Sequence, residues 1–371
     1  MSDYQGLIRP EVAGLRPYSP GKPIEEVERE FGLKDIIKLA SNENPLGPSP
    51  AALAAMQEAV TQTRLYPDNE CYHLRRALAR HLEMPEDTLI VGRGSDEVIH
   101  MLGLAFVRPG EEVMMCQPPF TLYEFTAQLM GAVQVRVPQR DFRHDLPAMI
   151  GRLSERTKLV FLSNPNNPTG AMITRAEVAA MLAALPPQAI LVLDEAYYEY
   201  VDDPEFPTSL DYVREGKRVV VLRTFSKIYA LAGLRIGYGI APADMMRFLH
   251  QVREPFNVSS VAQAAAVASL GDPDQVVRSR ELNRHGLRYL YREFERLGLP
   301  YVPSQANFVY VDTRVPCRPL FIELLKRGVI VRTGDIFGHP THIRVTTGTG
   351  EENQRFITAL EEALPIAAES A

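Results

Sequence analysis

Lys227 sits in Thr224-Phe225-Ser226-Lys227, eight residues before Arg235 in Gly233-Leu234-Arg235. The segment before it, Arg218–Leu222 (RVVVL), is β-branched and reads as a buried strand. A lysine just past such a strand is poorly placed as a solubility charge and well placed as a Schiff-base amine. The end of a buried strand in an open α/β sheet faces a crevice, where ligands bind. Ser226 adds a hydroxyl beside the amine, and Arg235 adds a fixed fork for an anion. A cofactor carrying both an aldehyde and a phosphate satisfies all three, and pyridoxal 5′-phosphate (PLP) is such a cofactor.

Other reactive residues also follow apolar runs. Gly92-Arg93-Gly94-Ser95-Asp96-Glu97 follows Thr88–Val91 and opens a helical pattern. Free N–H groups and the positive end of the helix dipole make such a start suitable for phosphate. Glu97 breaks the dinucleotide fingerprint, and a plain glycine turn with Ser95 as N-cap fits equally well. Asp194 ends Ala189–Leu193 (AILVL), where a carboxylate needs a partner. A pyridinium N–H is one, and a helix cap is the simpler alternative. Tyr197 is placed to donate to a phenolic oxygen, while Glu195 and Glu199 are expected to be solvated or locally hydrogen-bonded.

Asn164-Pro165-Asn166-Asn167-Pro168-Thr169-Gly170 reads as a rigid turn, yet a connecting loop does not require three asparagines. A held amide can donate to a phenolate-like oxygen without adding charge. Phe120 can stack on a planar ring, although core packing serves a lone phenylalanine as well. Arg332 follows GVIV, and Arg344 lies within HIRV on the face opposite Ile343 and Val345. Two guanidinium forks there would clamp a phosphate or carboxylate, or else close structural salt bridges. The eight histidines have no metal-ligand spacing, so no metal is expected, and neither a G-x-S-x-G elbow nor a P-loop occurs.

The elements that must position these residues alternate. Thr88–Val91, Glu112–Met115, Val133–Val137, Leu159–Leu162, Ala189–Leu193, Val219–Leu222 and Ile236–Ile240 read as strands. Helical patterns such as Ser95–Phe106, Leu122–Met130 and Arg175–Ala184 separate most of them. That alternation predicts an α/β fold with a mostly parallel seven-stranded sheet covered on both faces. Beyond about residue 257 a long amphipathic helix, Asp274–Leu297, leads to Phe308–Val311, Val329–Arg332 and Ile343–Val345, which read as a smaller α+β lobe. Residues 1–30 hold Pro10, Pro17, Pro20 and Pro23, which forbid a long helix before Ile24. The expected organisation is an N-terminal arm over 1–40, a cofactor-binding domain over 41–257 and a small domain over 258–371.

Composition sets bounds on function. With 371 residues, 46% hydrophobic and 23% charged, the chain is an ordinary globular one. Its net charge of −6 gives no footprint for nucleic acid. Cys71, Cys116 and Cys317 are scattered, which favours a reducing compartment. No apolar h-region opens the chain and no run is long enough to span a bilayer, so a cytoplasmic location is expected.

These motifs, in this order, resemble the fold-type I PLP-dependent aminotransferases. The segments concerned are KLASNENPLGP (38–48), Tyr66-Pro67-Asp68, Gly94-Ser95-Asp96-Glu97, the 164–170 turn, Asp194-Glu195-Ala196-Tyr197 and Ser226-Lys227 through Arg235. With Leu15-Arg16-Pro17-Tyr18 ahead of them, the chain is similar to the histidinol-phosphate aminotransferase family, from about residue 14 to about residue 350. The resemblance implies a Schiff base of PLP on Lys227, which then moves the substrate proton, with Asp194 on the ring nitrogen. It implies Asn167 and Tyr197 on the phenolic oxygen, Phe120 on the ring face, and Gly94, Ser95, Asp96, Ser226 and Arg235 around the phosphate. Many relatives carry Tyr where this chain has Phe120, so the ring is kept and a hydroxyl is missing. Tyr66 would reach the phosphate from a second subunit, giving a homodimer with shared sites.

Tyr18, Asn42, Asn167, Arg332 and Arg344 would form the substrate pocket, for L-histidinol phosphate as amino donor and 2-oxoglutarate as acceptor, in histidine synthesis. The alternative is an aromatic amino-acid aminotransferase, because apolar pockets discriminate weakly between flat rings. A phosphoamino-acid decarboxylase of the same fold is a further reading that phosphate-binding arginines do not exclude. A ligand-sensing DNA-binding regulator fits poorly with a short, Pro-rich leader and negative charge, and a dehydrogenase leaves Lys227 unexplained.

Overall fold

The computed structural model describes residue 4 and residues 6–15, 17 and 21–369. Its first strand, β1 (Ile37–Lys38), is only two residues long. The next seven are β2 (Leu89–Gly92), β3 (Glu112–Gln117), β4 (Val133–Pro138), β5 (Thr157–Ser163), β6 (Ile190–Asp194), β7 (Val219–Thr224) and β8 (Gly237–Ile240). They form one sheet in the order β2-β8-β7-β6-β5-β3-β4. Every pairing is parallel except those of β8, which runs antiparallel to both β2 and β7. The expected α/β class and seven-stranded sheet are therefore present.

Alternation along these strands feeds two cores. Leu162, Leu191, Leu193, Val219 and Val221 pack on one face, and Phe161, Ile190, Val192, Val220 and Leu222 on the other. Each such side chain contributes about 1.5–3 kcal/mol relative to exposure. Covering both faces leaves the strand ends as the places where polar groups can emerge. Helix Ser95–Phe106 lies directly over β8. That approach requires glycine: a Cβ at Gly237 would stand 2.4 Å from the Ser95 nitrogen, and one at Gly239 would stand 2.9 Å from Val98 Cγ1.

In the C-terminal part, β9 (Tyr301–Val302), β10 (Phe308–Asp312), β12 (Arg332–Thr333) and β13 (His342–Thr346) form an antiparallel sheet in the order β12-β13-β10-β9. Between them in the chain, β11 (Val329–Ile330) pairs with β1 instead. The expected single strand Val329–Arg332 is thus two short strands, broken at Val331 because each half serves a different neighbour. Helices Pro273–Arg296 and Gly350–Glu369 supply Leu290, Phe294, Phe356 and Leu360 to the core over this sheet. Helix Ser260–Leu270 packs Ala262, Ala265 and Ala266 into a core of the large sheet and lies along helix Pro50–Val60.

The N-terminal segment carries a one-turn helix, Pro10–Ala13, and helix Ile24–Phe31, which begins directly after Pro23 and stops at Gly32 (φ 68°). Among the described residues, no helix is long and apolar enough to cross a membrane.

Candidate active site

The C-terminal ends of β5, β6 and β7 converge on one cavity of about 430 Å³. Ser163, Asp194 and Thr224 reach it as the last residues of those three strands. Lys227, Ser226, Asn167 and Tyr197 line it from the loops beyond, Phe120 from the segment after β3, and Ser95, Asp96 and Arg235 from one end. Asn42, Arg332 and Arg344 close it from the side of the smaller sheet.

Asp194 is buried in the floor. The Tyr123 hydroxyl donates to its Oδ2 at 2.6 Å, and the Ala196 N–H to its Oδ1 at 3.2 Å. Burial pushes the carboxyl up from its ordinary value to about 6, against the pull of the Tyr123 hydrogen bond. Tyr123 is itself held protonated, first by burial and then by Asp194, so it remains a donor. Its ring stacks on Phe161, 4.4 Å between centroids and 9° from parallel, and meets the edge of Phe120 at 5.5 Å.

The Lys227 amine donates to the Ser41 carbonyl at 3.0 Å and stands 5.8 Å from the centre of the Tyr197 ring. Burial first, and the neighbouring cations Arg344 and Arg235 next, bring its pKa down to about 8. About a tenth of the amine is thereby neutral at pH 7, far more than for an ordinary lysine, and the neutral amine is what attack on a carbonyl needs.

One end of the cavity is built for an anion. Helix Ser95–Phe106 points its N-terminus there, and its N-cap is Gly94 (φ 78°). Ser95 is the first helical residue and not the cap, so its hydroxyl is not spent on the helix's own N–H groups. Arg235, in the left-handed region at φ 51°, donates to Asp96 Oδ2 at 3.0 Å and to Ser226 Oγ at 3.4 Å. Thr224 Oγ1 donates to Ser226 Oγ at 3.0 Å and accepts the Ser226 N–H at 3.1 Å. Gly94 holds φ 78°, which favours glycine, and a Cβ there would stand 2.8 Å from Arg235 Nη2 and push the guanidinium off this turn. Helix N–H groups, two serine hydroxyls and a cation form a donor set that fits the phosphate of PLP. An amine and a buried carboxyl further along the cavity fit its aldehyde and ring nitrogen.

The asparagine-rich turn divides its labour. Asn164 exchanges side-chain bonds with the Ile173 carbonyl (3.0 Å) and N–H (2.8 Å), and Asn166 Nδ2 donates to Thr169 Oγ1 at 2.8 Å. These two build the turn and leave Asn167 on the cavity. Its Oδ1 accepts from Arg344 Nη1 at 2.5 Å, while Arg344 Nη2 donates to the Ala40 carbonyl at 2.6 Å. Arg332 lies directly opposite Arg344 in the β12–β13 pairing. Asn42 (φ 56°) donates from Nδ2 to Tyr197 Oη at 2.8 Å, and its Oδ1 accepts from Thr346 Oγ1 at 3.1 Å.

Tyr66 is not brought to this cavity: it is 84% exposed and stacks on Phe256 at 4.8 Å. Tyr18 lies outside the described residues. Glu195 is not solvated, because it is buried and paired with buried Arg223. Glu199 is largely shielded as well, and burial pushes its carboxyl up to about 7. Tyr123 is a site residue that the sequence motifs do not mark. The signal for it is faint: Tyr123, Thr126 and Ala127 form the buried i, i+3, i+4 stripe of helix Thr121–Leu129, three residues after Phe120.

The chain belongs to the class I and II aminotransferases, whose family model matches residues 34–360. Within that class it is similar to curated histidinol-phosphate aminotransferases. It is 54% identical over 357 residues to that of Moorella thermoacetica, covering 96% of this chain and 92% of the relative. It is 46% identical over 357 residues to that of Symbiobacterium thermophilum, covering 96% and 98%. Among solved structures it resembles the histidinol-phosphate aminotransferase of Sinorhizobium meliloti in complex with pyridoxal-5′-phosphate. That likeness has a TM-score of 0.89 at 30% identity and covers 97% of this chain and 98% of the other.

Proposed function

We propose that this chain transfers the amino group of L-histidinol phosphate to 2-oxoglutarate, giving imidazole acetol phosphate and L-glutamate in histidine synthesis. Bound in the cavity, PLP supplies an electrophilic carbonyl for amines and a ring that accepts electrons. The observation that carries the substrate reading is the cross-strand pair Arg332–Arg344, which faces the same cavity as the Lys227 amine. A donor without a carboxylate must present its phosphate to that pair, and two guanidinium forks suit a dianion. Glutamate has carboxylates for the same forks. The full-length resemblance to relatives that bear this enzyme's name supports the same substrate.

In this reading Lys227 would hold the cofactor through its carbonyl carbon and would carry the substrate proton. Asp194, held by Tyr123, keeps the ring nitrogen protonated. Tyr197 and Asn167 contact the phenolic oxygen, and Phe120 covers the ring. Gly94, Ser95, Asp96, Ser226 and Arg235 surround the phosphate. Asn42 orients the Tyr197 hydroxyl. The exposed Tyr66–Phe256 stack, with Leu53, Val60 and Leu65 also exposed, supports a second copy of the chain covering that face and receiving Tyr66 into its site. The enzyme then works as a cytoplasmic homodimer with shared sites.

The test is an absorbance titration of the PLP form with L-histidinol phosphate and L-phenylalanine in parallel, without an amino acceptor. Loss of the visible cofactor band at much lower histidinol phosphate is the expected outcome. A stronger response to phenylalanine would replace this substrate with an aromatic amino acid.

A further inference from the structure

Behind the cavity floor lies a charged pair that the proposed reaction does not use. Arg223 donates to Glu195 Oε2 from Nη2 at 2.8 Å and from Nε at 3.0 Å. Both residues are buried, and Arg223 also lies over the Tyr198 ring at 3.5 Å. Glu195 directly follows Asp194, and Arg223 precedes Lys227 by four residues.

The place of the pair in the sheet gives it meaning. The β6–β7 pairing ends with Asp194 opposite Leu222, and the Glu195 N–H makes a final bond to the Leu222 carbonyl at 2.8 Å. Past that bond the two chains separate, one toward Tyr197 and the other toward Ser226 and Lys227. The Arg223–Glu195 bridge sits at the point of separation and continues the connection through side chains. Buried ion pairs can often be replaced by apolar groups of like volume without loss of stability, so stability is a weak reason for this one.

We propose that Arg223 and Glu195 are positioning residues: their bridge holds the β6 end bearing Asp194 in register with the β7 end leading to Lys227, so that both meet one cofactor. The inference rests on the PLP reading above. The bridge also balances charge. Glu195 without its partner would oppose ionisation of Asp194, and the bond to Arg223 offsets that charge.

The test compares wild-type protein with the double variant Glu195→Leu/Arg223→Met and the single variant Glu195→Gln. Three quantities are read: the Tm of the PLP-free protein, the Kd for PLP, and the pH midpoint of the bound cofactor's visible band. The double variant is expected to keep a wild-type-like Tm while its Kd for PLP rises about tenfold or more and its midpoint moves. In Glu195→Gln the negative charge beside Asp194 is lost while Arg223 keeps Glu199 as a neighbour, which should lower the midpoint by about half a pH unit or more. A double variant with wild-type Kd and midpoint overturns the inference. Should the double variant not fold, Glu195→Gln with wild-type Kd and midpoint overturns it equally. Failure of the wild-type protein to bind PLP would overturn the proposed function as well, whereas wild-type binding with unaltered variants removes this inference alone.

Discussion

The Tyr123 hydroxyl donates to Asp194 Oδ2 at 2.6 Å, across an interface between helix Thr121–Leu129 and strand β6. The bond joins a phenol that burial keeps protonated to a carboxyl that burial pushes toward neutrality. It therefore sets how strongly Asp194 can hold a positive partner. Tyr123→Phe removes the donor and leaves the ring stacked on Phe161. Asp194 should then rise further above its ordinary value. A hydrogen bond to a charged group is worth about 1.5–3 kcal/mol, so PLP affinity at pH 7 should fall roughly 10- to 100-fold. The loss should shrink at pH 8.5, where Asp194 ionises without help. Equilibrium dialysis at the two pH values measures both; equal losses would remove the bond from this role.

The same burial predicts that Asp194 weakens the PLP-free fold. Its carboxyl is raised from 3.8 to about 6, so folding favours the protonated form. Stability from this group is complete below pH 4 and is lost as pH rises through 6. At about 1.4 kcal/mol per tenfold change in proton affinity, the loss reaches roughly 3 kcal/mol. Asp194→Asn should therefore stabilise the PLP-free protein at pH 7.5 by up to that amount and leave it unchanged near pH 4. Urea unfolding at the two pH values is the measurement.

Lys227→Ala should abolish turnover and leave the unfolding transition of the PLP-free protein intact; wild-type-like turnover would sink the mechanism. In the wild-type protein, burial and the Arg344 charge place the amine near pH 8. Borohydride trapping of PLP on the protein should rise with pH about that midpoint, far below that of an ordinary lysine. Arg344→Ala removes a repelling cation and should move the midpoint upward.

These predictions rest on residues of unequal visibility in the sequence. The central strands of the large sheet are legible because runs such as LVFL and VVVL are buried on both faces and contain almost no polar residue, while the largely exposed edge strand β4 is legible by the alternation of its valines with Gln134 and Arg136. Two-residue strands such as Ile37–Lys38 and Tyr301–Val302 are not, since pairing with a distant neighbour, and no local pattern, defines them. Lys227, Asp194 and Asn167 announce themselves as polar residues where a strand ends. Tyr123 does not, because it reaches Asp194 only through the packing of a helix 71 residues away in the chain. Glu195 misleads for the opposite reason: its partner Arg223 lies 28 residues on, so the pattern around it gives no sign of a buried pair.

Tyr66 stands apart from the cavity of its own chain, 84% exposed and stacked on Phe256. If it serves a neighbouring site, Tyr66→Phe should weaken PLP retention without changing the fold, and unchanged affinity would remove it from the site. Complementation is a sharper measure. Co-refolded Lys227→Ala and Tyr66→Ala chains would yield mixed dimers in which one site has both wild-type residues. Their activity should exceed that of either parent, and no gain would place Tyr66 outside the shared site.

Arg332 and Arg344 face each other across β12 and β13, yet they should not be equivalent. Arg344 already braces Asn167 and the Ala40 carbonyl, so its loss loosens the cofactor side of the pocket as well. Arg344→Ala should therefore lower kcat and raise KM for every substrate. Arg332→Ala should act mainly on KM. Truncating a charged partner of a bound anion costs about 2 kcal/mol or more, roughly 30-fold in kcat/KM. For L-histidinol phosphate, whose dianion engages both forks, the double variant should lose less than the two single losses combined, because either truncation already breaks the clamp. For L-phenylalanine, whose single carboxylate needs one fork, Arg332→Ala should cost far less. Steady-state kinetics of the three variants on both substrates measures this. Equal losses on the two substrates would mean that Arg332 holds a carboxylate like any other, and the phosphate reading of the pocket would fall with it.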